Sequence, residues 1–140
     1  THSVAEHILG LNCDRRIEKG DSSLVNEMAL VKVGGKERNF FSFASKYCNH
    51  HHQEPFPIFD SYVEKMLWHF RKMDHFDGFK RPELRQYRRF VEVIGLFRRH
   101  YKLEQFSLRE IDIYLWLAGK ESFGTVGQRK TVRALKTPRI

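Results

Sequence analysis

Cysteine is scarce in this sequence, and it has no long apolar run. Its 140 residues include two cysteines, Cys13 and Cys48, which are too few for a disulfide framework. Cys48 falls on an apolar helical face, so we expect a buried, reduced thiol there. No apolar run reaches the roughly 18 residues of a membrane span, and no signal peptide is visible. These absences argue against a disulfide-rich secreted domain and predict a cytoplasmic protein without a membrane partner.

Acidic residues are outnumbered by basic ones. The chain has 25 lysines and arginines against 17 aspartates and glutamates, which gives a formal net charge of +8. Such a balance favours a polyanionic partner such as nucleic acid, although ordinary solubility charge is the alternative. Hydrophobic residues make up 41% of the chain, including 12 phenylalanines, so one aromatic-rich core is expected. The chain begins at Thr1 rather than at Met, as a fragment would.

Apolar residues recur at helical spacing through most of the chain, and no segment shows the sustained alternation of a strand. The predicted helices are residues 3–11, a segment capped by Ser22 or Ser23, residues 39–51, a helix opened by Asp60, residues 82–101 and a helix after Ser107. Residues 13–21 read as a polar connection. The sequence therefore predicts a single compact all-α domain of about five or six helices over residues 1–120, with a basic tail over residues 121–140.

Three of these helices carry specific signals. After Asn39, a buried stripe is predicted from Phe40, Phe43, Ala44, Tyr47 and Cys48. After Asp60, the inward residues are predicted to be Val63, Met66, Leu67 and Phe70. Ser107–Glu110 has the sequence of a capping box, and the helix that follows should end at Gly119. Its inward residues are predicted to be Ile111, Tyr114, Leu115 and Ala118.

Asp60 follows the segment PFPIF and directly precedes an amphipathic helix. A residue before proline is pushed into the extended region, so a short extended entry is expected. Aspartate is a common N-cap because its carboxylate accepts the free N–H groups of the first helical turn. Asp60 is therefore either an N-cap alone or an N-cap whose carboxylate also takes part in chemistry.

The predicted elements follow the order helix, glycine turn, helix and then a Pro-to-Asp entry into another helix. This order is carried by residues 31–67, VKVGGKERNFFSFASKYCNHHHQEPFPIFDSYVEKML. It resembles the helix-hairpin-helix DNA glycosylase superfamily, in particular the members similar to 8-oxoguanine DNA glycosylase. The pattern Pro-(aliphatic)-Asp-x-x-Val of that family is matched by Pro57, Ile58, Asp60 and Val63, with Phe59 inserted. The later segment IDIYLWLAGKE is similar to the closing helix of bacterial relatives.

The resemblance implies an all-α fold with a helix-hairpin-helix element and a base-excision activity. Its partner would be duplex DNA with a modified base, and its catalytic carboxylate would be Asp60. Bifunctional members also use a lysine amine, for which Lys36 and Lys46 are the candidates here. Positive charge develops on the deoxyribose as the base departs, and a fixed anion would stabilise that charge. The base must first be turned out of the stack into a pocket.

The glycine turn suggests a phosphate contact. Gly34 and Gly35 would let backbone N–H groups approach a phosphate, and Lys36 and Arg38 add positive charge. The alternative is a structural turn that needs a positive φ angle. Ser42 and Lys46 share a polar helical face, and we include both among the predicted nucleic-acid-binding residues.

Two further clusters receive a structural interpretation. His50, His51 and His52 are interpreted as helix C-terminal residues, so neither a metal nor another cofactor is predicted. The arginines between Arg81 and Arg99 surround an aromatic stripe, which is typical of a solvated helix face over a core.

Two other functions remain open at this point. The chain could be a non-enzymatic nucleic-acid-binding module on the same fold, in which Asp60 is only a cap. It could also be a helical protein–protein interaction module of a defence or regulatory system, with the charge serving solubility.

Overall fold

A computed structural model describes residues 2–124 and is mostly helical. The elements in chain order are α1 (His2–Gly10), α2 (Cys13–Glu18), α3 (Ser23–Ala29), β1 (Leu30–Val33), β2 (Lys36–Asn39), α4 (Phe41–His51), α5 (Ser61–Asp74), a 3₁₀ helix (Arg81–Arg85), α6 (Tyr87–His100) and α7 (Leu108–Phe123). One cluster of buried side chains draws on all of these helices except α1, from which Ile8 packs against the cluster. The prediction of a compact all-α domain is confirmed.

The glycine turn joins two short strands. β1 pairs with β2 in antiparallel register, with Val31 opposite Arg38 and Val33 opposite Lys36. Gly34 and Gly35 have φ angles of 58° and 78°, which glycine adopts without strain. The expectation that the chain has no strand is therefore wrong here. Because this turn closes a β-hairpin, the structure does not show the helix-hairpin-helix element.

Helix α4 buries a different face from the one predicted. Its buried residues are Phe41, Ala44, Ser45, Cys48 and Asn49, whereas Phe43 is 46% exposed. The spacing i, i+3, i+4, i+7, i+8 was right, but the register was one residue too early. Hydrogen bonds explain this shift in register. Ser45 and Asn49 bind backbone groups of Phe59 and Phe56, respectively, so both polar side chains can be buried.

The extended entry predicted before Asp60 is present only in part: residues 53–55 form a turn, residues 56–60 belong to no helix or strand, and Asp60 itself is extended with φ −147° and ψ 156°. Phe56 and Phe59 are buried, and the Phe59 ring packs edge-on against Phe41 at 4.7 Å between centroids. Asp60 is the N-cap of α5, and all four residues predicted to face inward from this helix are buried. α5 therefore begins at a defined point in the fold.

The predicted helix over residues 82–101 is two elements. Gln86 is extended, with φ −96° and ψ 109°, and separates the 3₁₀ helix from α6. The side-chain amide of Asn26 satisfies the groups freed by this break. It donates to the Arg85 carbonyl oxygen at 2.8 Å and accepts from the Tyr87 backbone N–H at 2.8 Å. The chain breaks here because α3 provides these partners, which local sequence does not encode.

Helix α7 starts as predicted and ends later. The capping box is present, since the Ser107 hydroxyl accepts from the Glu110 N–H at 3.1 Å and the Glu110 carboxylate accepts from the Ser107 N–H at 3.0 Å. Gly119 lies inside the helix, where α7 packs closely on Tyr62 of α5. Tyr114 is 45% exposed, contrary to prediction, and Asp112 is buried.

Residues 121–123 belong to α7, and residues 125–140 of the predicted basic tail lie outside the described residues. Segment 13–21, predicted as a polar connection, contains the short helix α2. Within residues 2–124, no helix combines the length and the apolar character needed to cross a membrane.

Candidate functional site

A pocket of about 400 Å³ opens between α4, the start of α5 and the start of α7. Its volume falls within the range of roughly 300–1,000 Å³ that is usual for small-molecule sites. The lining residues are Lys46, Ile58, Asp60, Val63, Arg109, Asp112, Ile113 and Trp116. Apolar walls with four charged side chains make this pocket suited to a partly apolar ligand that also carries polar groups.

Asp60 lies at the pocket wall and caps α5. Its Oδ1 accepts a hydrogen bond from the Tyr62 backbone N–H at 2.8 Å, so its prediction as an N-cap is confirmed. The side chain remains partly exposed on the pocket side. The carboxylate is therefore fixed in orientation by the helix and is still accessible to a ligand.

Lys46 is exposed on α4 and lines the same pocket as Asp60. Its helix is held to the segment before Asp60 by two serines. The Ser42 hydroxyl donates to the Phe59 carbonyl oxygen at 3.1 Å, and the Ser45 hydroxyl accepts from the Phe59 N–H at 3.0 Å. The fold thus brings Lys46 and Asp60 to one site, and Ser42, predicted to bind nucleic acid, makes a bond inside the protein.

Arg109 and Asp112 complete the charged wall of the pocket, and sequence reasoning did not single out either of them. Arg109 Nη1 donates to Asp112 Oδ1 at 2.5 Å, and the Ile58 N–H donates to Asp112 Oδ2 at 2.8 Å. Asp112 is 1% exposed. Burial raises its pKa to about 6, although the Ile58 N–H and Arg109 act in the opposite direction. The buried carboxylate therefore joins α7 to the segment that precedes Asp60.

A sequence signal for Asp112 does exist. With Leu115 and Gly119 it forms an i, i+3, i+7 set, and all three are buried in α7. An aspartate on such a face needs a partner to be stable there, which marks it as a candidate for a specific role. The inward face predicted from the sequence runs through Tyr114 and therefore leaves Asp112 out.

The hairpin residues do not reach this pocket. Gly34, Gly35, Lys36 and Arg38 are all exposed on the β-hairpin, and none of them lines the pocket. Of the two candidate lysine nucleophiles, Lys46 therefore lines the same pocket as Asp60, and Lys36 does not.

A second cavity, of about 590 Å³, lies on the other side of α7. It is lined largely by apolar side chains, among them Phe70, Phe97, Phe106 and Leu117, with Glu110 at its edge. It lacks the paired cations and carboxylates of the first pocket, which is why the first pocket is the candidate site.

Comparison with known proteins identifies a sequence family and a related protein, but neither match indicates a reaction. The sequence family HI_0787_N, described as an N-terminal domain, matches residues 1–55. An uncharacterised protein of Haemophilus influenzae is 52% identical over 123 residues, a match that covers 87% of this chain and 58% of that protein. The chain thus spans little more than half the length of this relative. No solved structure matches the chain.

Proposed function

We propose that the chain binds nucleic acid with one base turned into the pocket, and that Asp60 assists cleavage of the N-glycosidic bond of that base. The observation that carries this proposal is the meeting of Asp60 and Lys46 at one pocket. Asp60 and Lys46 both lie in residues 31–67, the stretch that resembles DNA glycosylases.

The pocket chemistry fits an extruded base. Ile58, Val63 and Ile113 offer apolar surface, and Trp116, whose ring also lies 4.9 Å from the Lys120 ammonium, adds aromatic surface for a base. The Lys46 ammonium and the Arg109 guanidinium offer positive charge for phosphate or for base carbonyl oxygens. The net charge of +8 would attract the polyanionic backbone over longer distances.

Asp60 would act on the sugar rather than on the base. When the N-glycosidic bond breaks, the bond electrons leave with the base and positive charge develops at C1′ of the deoxyribose. The fixed carboxylate would stabilise this charge and accept a proton from the water that attacks C1′. The products are the free base and an abasic site. The cap bond from Tyr62 suits this role because it holds the carboxylate in place before the substrate arrives.

Lys46 supplies a second route. Its neutral amine could attack C1′ in place of water as the base leaves with the bond electrons, and Asp60 could accept the proton that the amine gives up. Breaking of the C1′–O4′ bond would then form a Schiff base, and elimination of the 3′ phosphate would cleave the strand. Trapping with borohydride would then join the protein covalently to the DNA. Lys46→Gln should abolish that adduct, whereas Lys36→Gln should not, because Lys36 lies outside the pocket.

The decisive experiment is a base-excision assay with Asp60→Asn. Labelled duplexes carrying 8-oxoguanine, uracil, hypoxanthine or an alkylated purine are incubated with protein, and alkali reveals abasic sites. Asparagine caps helices as well as aspartate does, so folding and DNA affinity should be retained. Loss of the carboxylate should lower the excision rate by about 100-fold or more.

Asp14→Asn is the matched control, because Asp14 is an exposed carboxylate on α2 that does not line the pocket. Excision by Asp60→Asn at the wild-type rate would sink the catalytic role of Asp60. The cap bond also favours a second candidate, a nucleic-acid-binding module without catalysis. Tight, salt-sensitive binding with no product from any duplex would select that module.

A further inference from the structure

Arg109 lies at the pocket wall and pairs there with a buried carboxylate. It lies in the first turn of α7, and its side chain is 27% exposed. Among the described residues, the carboxylate that pairs with it is Asp112, which is itself buried. A guanidinium has five N–H donors, and this pair engages Nη1, so other donors are left for a ligand.

Asp112 fixes this geometry from both sides. One carboxylate oxygen binds Arg109, and the other accepts the N–H of Ile58, two residues before Asp60. The contact joins residues that are 54 positions apart in the chain. Because Arg109 and Asp112 both belong to α7, a displacement of α7 relative to the Asp60 segment would move Arg109 as well. The bond between Ile58 and Asp112 therefore sets the position of the Arg109 cation relative to the Asp60 carboxylate.

We propose that Arg109 binds a phosphate of the nucleotide whose base occupies the pocket, and that Asp112 is the positioning residue that orients Arg109. The identification of the ligand as a nucleotide rests on the proposed function, but binding does not require excision. A planar guanidinium fork matches the oxygens of a phosphate, and Lys46 adds a second cation at the same pocket. The apolar walls would hold the ring while these cations hold the anion.

Binding measurements with small ligands test this directly. A deoxynucleoside, its 5′-monophosphate and a trinucleotide with that residue at its centre are titrated into the full chain by calorimetry. The phosphate should raise wild-type affinity by about 10-fold or more, as charge-assisted bonds do. In Arg109→Ala the monophosphate should lose that advantage over the nucleoside, while Arg109→Lys should keep part of it.

Asp112→Asn tests the positioning role. Its amide oxygen can still accept the Ile58 N–H, but the charge that holds Arg109 is gone, so the phosphate advantage should shrink without vanishing. Arg99→Ala, an exposed arginine on α6 outside the pocket, is the control and should behave as the wild type does. Thermal melting of each variant separates a folding defect from a binding defect.

The outcomes separate this inference from the proposed function. Phosphate-dependent binding that Arg109→Ala removes would support it even if no duplex is ever cleaved. An equal phosphate advantage in wild type and Arg109→Ala would overturn it, as would equal affinity of the wild type for nucleoside and monophosphate, or no binding of either. A trinucleotide that binds much more tightly than the monophosphate would identify the phosphate source as a strand, and the reverse order would identify a free nucleotide.

Discussion

Asp112 is the residue whose ionisation is most closely tied to folding at the candidate site. An ordinary aspartate has a pKa near 3.8, and burial raises the pKa of Asp112 to about 6. Between these values the folded chain holds a proton at Asp112 that the unfolded chain has released. The contribution of Asp112 to the free energy of unfolding therefore falls as the pH rises through this window. About two pKa units correspond to roughly 3 kcal/mol.

We expect Asp112→Asn to remove this dependence. Between pH 4 and 7, which covers most of this window, the free energy of unfolding of the wild type should fall by roughly 2 kcal/mol relative to that of the variant. Urea unfolding at a series of pH values measures both curves. Asp14→Asn, at an exposed site, controls for the loss of one carboxylate. Parallel wild-type and Asp112→Asn curves would show that Asp112 does not titrate in this window.

The role of Asp60 as an N-cap could be predicted from the residues around it. Prolines, an extended entry and an amphipathic run together indicate a capping aspartate, because each of these signals is local. Arg109 and Asp112 could not be placed beside it in this way. Their position follows from a bond between Asp112 and Ile58, and no pattern within either segment encodes that bond.

At the scale of elements, the packing of α7 on α5 depends on Gly119. A Cβ built at this position would lie 2.7 Å from the Tyr62 carbonyl oxygen and 2.8 Å from Tyr62 Cβ. Contacts this short require backbone movement, because the carbonyl oxygen cannot rotate away. Tyr62 also donates its N–H to Asp60, so a shift here would reach the candidate site.

Gly119→Ala should therefore destabilise the protein, although alanine is the better helix former by about 1 kcal/mol. Overpacking typically costs about 1–3 kcal/mol, which exceeds or offsets that gain. Gly95→Ala is the control, since Gly95 lies within α6 and an added Cβ there meets nothing within 4 Å. It should stabilise by about 0.5–1 kcal/mol. If urea unfolding shows Gly119→Ala to be as stable as the wild type or more stable, close packing at Gly119 is not the reason for the glycine.

Gly119 and Gln86 also explain which elements could be predicted. Glycine after an apolar run is a usual helix end, but here tertiary contact with α5 requires glycine inside α7. The apolar residues keep helical spacing through Gln86, but the helix is interrupted there. The Asn26 side chain forms hydrogen bonds with the backbone groups that this interruption leaves free. The helices themselves were visible as patterns of period 3.6, whereas their interruptions depended on distant residues.

At the scale of the whole molecule, the hairpin and the pocket divide the predicted roles between two places. Lys36 and Arg38 lie two residues apart on β2 and so project from the same face of the hairpin. Asp60 and Lys46 lie at the pocket instead. If the hairpin contacts the DNA backbone, its charges should govern affinity and salt dependence, and the pocket should govern chemistry.

The double variant Lys36→Ala/Arg38→Ala tests this division. Each lost phosphate contact should reduce the slope of log K against log salt by about 1, so the slope should decrease by about 2 in magnitude. Excision at saturating duplex should stay at the wild-type rate, because neither side chain lines the pocket. Fluorescence anisotropy across a salt series measures the slope.

Arg15→Ala/Lys19→Ala removes the same charge from the exposed surface of α2 and its C-cap, and so controls for the loss of net charge alone. If both double variants change the slope equally, the hairpin contributes only through the overall field of the protein. A reduced slope in the hairpin variant alone would place the DNA backbone on the hairpin. Unchanged excision in that variant would then mean that affinity and catalysis reside in separate parts of one domain, joined through α4, whose two serines bind the segment before Asp60.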